Sequence, residues 1–315
     1  MESKRAILVE PRRFEFEVAD VSPSPTQVLV KIAACGLCNW ELNHWKGIIT
    51  PYPMRLGHEW AGTIIETGRE VKKFKPGDRV SVLSLQGFAE YSVAEENMTF
   101  ALADDVKLED GIGEPLKCII TVVRATAPEA GDHGVVLGCG PMGLWCLQAM
   151  SGHLTASLTA VDVDENKLKL ARKFGATHTI NPKNEDILAR ITEITGGHLA
   201  DFVIEGTGRP EMLEKASLMI KYKQGRMILM SSHEEASRNF DFRDMVHRGA
   251  KLLVAHPAYS LDQPDDMRRA IENLNLGIFD MSEMITHRFR LDDIQKAFET
   301  LEHKPSDYIK GIVIP

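Results

Sequence analysis

The sequence predicts an α/β protein in which a β-rich domain is joined to a doubly wound parallel-sheet domain. Three observations predict it. Residues 1 to about 116 carry many short strand-like runs and little helical periodicity. From about 117 to 258 strand and helix patterns alternate, which calls for a parallel sheet with helices on both faces. Between 135 and 162 an apolar strand runs into a glycine turn, a helix and a second strand ending in an acid, VVLGCGPMGLWCLQAMSGHLTASLTAVD.

Taken in order, RAILVE, QVLVKIAA, WAGTIIETG, RVSVL and FAEYSV read as strands, separated by turn chemistry such as VSPSP and KPGD. After the unit at 135–162, DENKLKLARKFGA reads as helix, THTI as strand, EDILARITEIT as helix, ADFVIEG as strand, EMLEKASLMI as helix and GRMILMSS as strand. The last segment, about 259 to 315, has two amphipathic helices, around MRRAIENLNL and LDDIQKAFETLEH. It closes in YIKGIVIP, whose strand character predicts that the chain returns to the first domain.

A length of 315 residues suggests about two domains, and 43% hydrophobic residues is enough to fill their cores. With 37 basic against 45 acidic residues, net −8, there is no broad cationic field for a phosphate backbone, which argues against nucleic acid as a partner. The start, MESKRAILVE, passes from charges straight into a strand, and no apolar run reaches bilayer-spanning length, so no membrane partner is expected. Five cysteines, an odd number in a long chain, do not make the disulfide framework of a small secreted domain. A reducing, cytoplasmic compartment follows.

Gly138, Gly140 and Gly143 fit GxGxxG. The first permits a tight turn, the second lets backbone approach a pyrophosphate, and the third lets helix pack on strand. Pro141 and Met142 complete the turn, where helix N–H groups are left for a phosphate. Such a spacing alone arises in ordinary turns; the strand before it, the helix after it and Asp162, 24 positions past Gly138, make it a dinucleotide site. Asp162 can hold both adenosine ribose hydroxyls and repels a 2′-phosphate, and Val163 beside it brings no compensating charge. NAD is therefore expected over NADP.

Metal-capable side chains concentrate in Cys35-Gly36-Leu37-Cys38 and in Gly57-His58-Glu59. Thiolate and imidazole are good zinc ligands, and a catalytic zinc keeps three protein ligands with one position open. By themselves the stretches are ambiguous: CGLC is equally a redox pair or two buried thiols, and His58 a core histidine. A zinc ribbon lacks its second CxxC.

CGLCNWEL, RLGHEWAGTIIETG, KPGDRV, GFAEY, GEPL, VVLGCGPMGL, ITHRFRLDDIQKAFE and IKGIVIP, ordered from about residue 28 to the end, resemble the zinc-dependent medium-chain dehydrogenases and reductases of the alcohol dehydrogenase superfamily. The resemblance implies a GroES-like catalytic domain over 1–116, a Rossmann NAD-binding domain over 117–258 and a return to the catalytic domain over 259–315. It implies a catalytic zinc on Cys38 and His58. Glu114 would be the third ligand, as in the sorbitol or polyol dehydrogenase branch, with Glu59 a further candidate and Cys35 a buried bystander. As a residue, Glu114 could equally cap the helix that follows, and Cys118, four positions on, shares its face. The 24-residue interval from Glu114 to Gly138 resembles the polyol branch and favours Glu114, leaving Cys118 a buried free thiol. The resemblance further gives cofactor roles to Lys167, to Gly206, Thr207 and Gly208, and to Ser231.

Two departures stand out. RVSVLSLQGFAEY joins its flanking motifs directly where many relatives insert a lobe with a structural zinc, so one zinc is expected. Two positions after Cys38 the family usually has Ser or Thr to start a proton relay; here it is Trp40, whose indole only donates. The relay then starts elsewhere, at His44, Glu59, or water and ribose hydroxyls, although His44 and Trp45 also read as a packed loop pair. The implied reaction is reversible oxidation, by NAD, of a secondary alcohol of a polyol, sugar or cyclitol. The implied assembly is a homodimer or homotetramer, with AKLLVAHP, 250–257, as the candidate sheet edge. Two other readings are a zinc-free quinone or enone reductase, against which Cys38 and the Gly-His-Glu motif speak, and a non-catalytic nucleotide-binding redox sensor, for which Trp40 speaks.

Overall fold

The computed structural model describes residues 1–315 except His153, Glu234, Pro257 and Ala258, and divides into two units, Met1–Lys117 with Pro264–Pro315, and Cys118–Gln263. His153 lies within the glycine-turn segment, and Pro257 and Ala258 at the end of the expected edge strand and at an expected domain boundary, so those calls fall in part outside the described residues. No described helix is long and apolar enough to cross a membrane.

The first unit opens with an antiparallel hairpin, β1 (Glu2–Glu10) and β2 (Arg13–Asp20). Then follow β3 (Gln27–Gly36), the short helix α1 (Asn39–Trp45), β4 (Trp60–Thr67), β5 (Arg79–Val82), β6 (Tyr91–Glu95) and β7 (Thr99–Ala101). β3 is buried along most of its length because β4 and β6 both pair with it, on top of a core of Val28, Val30, Trp60, Val80, Phe88 and Phe298. Helix α2 (Glu114–Thr126) begins in this unit and continues past Lys117.

The second unit alternates strand and helix: β8 (His133–Leu137), α3 (Pro141–Met150), β9 (Ser157–Val161), α4 (Glu165–Lys173), β10 (His178–Ile180), α5 (Ile187–Ile194), β11 (Phe202–Glu205), α6 (Pro210–Met219), β12 (Arg226–Leu229), α7 (Phe242–Arg248) and β13 (Lys251–Val254). The strands form one parallel sheet in the order β10-β9-β8-β11-β12-β13. Every residue of β9 and β11 is buried, as expected for strands covered on both faces. Aspartates cap three helices: Asp164 accepts from Asn166 N–H, Asp186 from Ala189 N–H, and Asp241 from Arg243 and Asp244 N–H. The order reverses between β8 and β11, and ligands of such sheets bind at the carboxyl ends beside that switch point. β13 is an edge strand, with Leu252 and Val254 exposed.

The chain then returns through α8 (Gln263–Asn275), β14 (Ile285–Arg290), α9 (Ile294–His303) and β15 (Lys310–Ile314). β15 pairs antiparallel with β3, Ile312 opposite Gly36 and Val313 opposite Cys35, so the last strand lies beside the first cysteine motif.

Candidate metal and nucleotide sites

Where β3 ends, the backbone stays extended through Cys38, which precedes the first turn of α1. Glu41, three residues on, is fully buried. Its carboxylate accepts from the N–H groups of Cys38 at 3.2 Å, Gly57 at 2.8 Å and His58 at 3.0 Å, and faces His58 Nδ1 at 2.8 Å. One buried acid thus ties the two motifs together. A carboxylate on Nδ1 fixes the proton there and leaves the Nε2 lone pair for a metal.

Ligand atoms of Cys38, His58 and Glu59 all lie within 4.8 Å of one another, the group among the described residues that could hold a metal ion. Glu114 stands outside that group, but its Oε2 is 3.6 Å from His58 Nε2. Two buried lysines hold the acids. Lys310 Nζ pairs with Glu59 Oε2 at 2.5 Å and donates to Leu37 O at 2.9 Å, while Lys117 Nζ pairs with Glu114 Oε1 at 2.7 Å. Gly36 leaves the space Glu59 uses, since a Cβ there would stand 2.0 Å from Oε2.

Burial pushes the Cys38 thiol up, with Glu59 adding to it and His58 opposing. Burial works to lower His58, yet Glu41 and hydrogen bonds to Cys38 and Glu41 raise it well above the usual imidazole range. Burial raises Glu59 against the pull of Lys310, and Lys310 is raised by Glu59 and Cys38 although burial opposes. In formal charge, Glu41, Glu59 and Glu114 exceed Lys117 and Lys310 by one. A Cys38 thiolate, with His58 neutral as a metal on Nε2 requires, makes the excess two, the charge that a divalent cation balances. One thiol, one imidazole oriented by a carboxylate, and nearby carboxylate oxygens form a donor set that fits zinc.

Cys35 is buried outside the group, its thiol near Gly36 O. Trp40, 39% exposed, stands edge-on to His44 and to His58, with ring centroids 4.5 and 5.3 Å away. His44 and Trp45 are buried on α1. Expected as loop residues, they are helical, because Glu41 closes the first turn by reaching back to the Cys38 N–H. Cys118, expected as a buried thiol, is partly exposed: the helix directs Leu116, Ile119 and Ile120 inward instead. None of the five cysteines is in a disulfide.

In the second unit, Gly138 ends β8 with φ +93°, and a Cβ on Gly143 would stand 1.9 Å from Gly138 O, so turn and helix demand glycine at both. Gly140 differs: its φ is −69° and a Cβ there meets nothing within 4 Å. The protein itself does not require glycine at 140, and the open space beside it leaves room for a group to approach the backbone, so the set fits a dinucleotide pyrophosphate. Pro141 takes the first helical position of α3, followed by Met142. The Asp162 carboxylate accepts from Cys139 N–H at 2.7 Å and Asp164 N–H at 2.9 Å, which fixes it beside the turn; Val163 is exposed and Lys167 lies half-buried on α4.

The loop Gly206-Thr207-Gly208 follows β11, and Ser231 lies just past β12. Fully buried Glu205 accepts from Thr207 N–H and Oγ1, from Gly208 N–H at 3.2 Å and from Ser231 Oγ at 3.0 Å, and pairs with His233 Nε2 at 3.0 Å. Glu205 therefore brings Thr207 and Ser231 together. Sequence reasoning missed Glu41, Lys117, Glu205, His233 and Lys310. Signals existed for four of them: Cys38-x-x-Glu41 has capping-box spacing, and Lys117, Glu205 and Lys310 are lone charges in apolar runs.

Residues 24–104 match the family model of the alcohol dehydrogenase GroES-like domain, and residues 141–275 that of zinc-binding dehydrogenase. An L-threonine 3-dehydrogenase of Bacillus velezensis is 29% identical, covering 95% of this chain and 94% of its own. A sorbitol dehydrogenase of Bacillus subtilis is 26% identical, covering 99% and 97%. The crystal structure of an Escherichia coli oxidoreductase/dehydrogenase of unknown specificity matches 100% of this chain and 99% of its own, with TM-score 0.90 and 27% identity. With a GroES-like β-rich domain and a Rossmann-type parallel sheet in one chain, the protein belongs to the zinc-dependent medium-chain dehydrogenase/reductase superfamily.

Proposed function

We propose that this protein is a zinc- and NAD-dependent dehydrogenase that interconverts a secondary alcohol of a polyol, sugar or cyclitol with its ketone. The observation that carries the reading is the Cys38, His58 and Glu59 group with Glu114 at 3.6 Å from His58 Nε2. Cys38, His58 and Glu114 would hold one zinc, and Glu59, committed to Lys310, would stay beside it. Zinc, when bound, supplies a Lewis acid for a substrate oxygen, and NAD, when bound, supplies the hydride acceptor.

The chain's own groups orient and select. Glu41 keeps His58 in the tautomer that presents Nε2. Trp40 offers an aromatic wall beside His58 that suits the apolar face of a ring better than a short alcohol. Gly138, Gly140, Gly143, Pro141 and Met142 would receive the pyrophosphate. Asp162, with Val163 offering no cation, would favour NAD, and Lys167, Gly206, Thr207 and Ser231 would line the remainder of the cofactor. The exposed edge at β13 supports a homodimer or homotetramer, since an unpaired apolar edge is an aggregation liability; a monomer at all concentrations in sedimentation would contradict it. Five cysteines with no disulfide among them suit a reducing cytoplasm.

The test is a screen of polyols, sugars and cyclitols for NAD reduction, repeated after chelation and after zinc return. Turnover lost on chelation and restored by zinc supports the reading. Turnover of quinones or enones that persists without metal would replace it with the zinc-free reductase.

A further inference from the structure

Helix α2 opens Glu114-Pro115-Leu116-Lys117, and Lys117 is only 2% exposed. Lysines are almost never buried so deeply unless paired, because taking an ammonium out of water is costly. Three positions apart, Lys117 and Glu114 are neighbours on the helix surface. Nζ takes Oε1 at 2.7 Å, while Oε2 is the oxygen 3.6 Å from His58 Nε2. The carboxylate is thereby divided, one oxygen to the ammonium and the other toward the imidazole.

We propose, on the reading that Cys38, His58 and Glu114 hold zinc, that Lys117 is a positioning residue which makes Glu114 a one-oxygen ligand. A carboxylate free to rotate offers a metal both oxygens. Bidentate binding would fill the coordination position that a catalytic zinc must leave open for substrate. Lys117 removes Oε1 from that competition and cancels one negative charge of the acid-rich cluster, so it trades zinc affinity for an open position.

Zinc affinity, from competition with a chromophoric chelator, and ligand number, from zinc-edge spectroscopy, test this without reference to turnover. Lys117→Met removes charge and donor: zinc should bind at least about tenfold tighter, as loss of a nearby cation predicts, with one more oxygen around the metal. Lys117→Gln removes the charge but keeps a donor, so affinity should rise by a similar factor with ligand number unchanged. If the Met variant does not fold, the Gln variant decides. Affinity unchanged or weaker in both folded variants, with wild-type ligand number, overturns the role of Lys117 alone. A wild-type protein that holds no zinc overturns the metal reading and this role together.

Discussion

In the second unit the candidate pyrophosphate turn is made of backbone: Gly138, Gly140 and Gly143 lie within six residues, and one acid, Asp162, is held beside it by the N–H groups of Cys139 and Asp164. In the first unit the candidate metal site is made of side chains brought together from residues 38, 41, 58, 59, 114, 117 and 310, most of them charged and buried. A turn depends on local conformation, so its failures should be steric and confined to cofactor binding. The cluster depends on mutual neutralisation, so removing one member should disturb protonation and metal affinity of the rest.

The largest expected effect is in the first unit. His58→Ala should lower zinc affinity on the order of a hundredfold or more, because ligand deletion removes a large share of a site's binding energy, while NADH binding measured by fluorescence stays intact. Equal loss of both would mean that the two sites are not independent. Glu41→Ala should follow at about 10- to 100-fold weaker zinc, the usual cost of losing a partner that orients a ligand. Zinc affinity as in the wild type would show that Glu41 serves folding only.

The turn offers a matched pair. Gly143→Ala forces a Cβ to 1.9 Å from Gly138 O and should destabilise by about 1–3 kcal/mol in thermal melts. Gly140→Ala meets open space and should leave stability within about 0.5 kcal/mol while weakening NADH binding. If Gly140→Ala binds NADH normally, the turn does not receive a pyrophosphate. A smaller change is expected from Asp162→Ser, which should narrow the preference for NAD over NADP by about tenfold; an NADP preference in the wild type would contradict the assignment.

The smallest effect concerns an acid of the second unit outside both sites. Burial works to raise Asp201, but the His133 N–H and Lys221 lower it more, so its folded pKa lies below the ordinary carboxylate range. The group then contributes stability above that range and loses it as pH falls through the folded value. Asp201→Asn should cost about 1 kcal/mol near neutral pH, with the difference from wild type vanishing in acid; a difference independent of pH would assign the cost to packing.

The same contrast explains what could be read from the sequence. Parallel strands buried on both faces give apolar runs, and the turn announces itself by glycine spacing, so β8, β9, β11 and β12 were legible; β10, an edge strand with His178 exposed, was read only from its place in the alternation. β2 was not, because its alternating residues are mostly exposed, and α1, at seven residues, is too short to show a period. Cys38, His58 and Glu114 were named through resemblance, whereas Lys117 and Lys310 were not. Pairing between residues 310 and 59 is a property of the folded sheet, in which β15 lies against β3, and no local pattern encodes it.

The central claim is that the first unit holds one zinc through one sulfur, one nitrogen and one carboxylate. Metal analysis of the purified protein with zinc-edge spectroscopy, on the wild type and on Glu114→Ala and Cys118→Ala, tests it most directly. The account predicts one zinc per chain and a single sulfur neighbour, with zinc lost in Glu114→Ala and retained in Cys118→Ala. Two sulfur neighbours in the wild type, or zinc retained in Glu114→Ala and lost in Cys118→Ala, would contradict it.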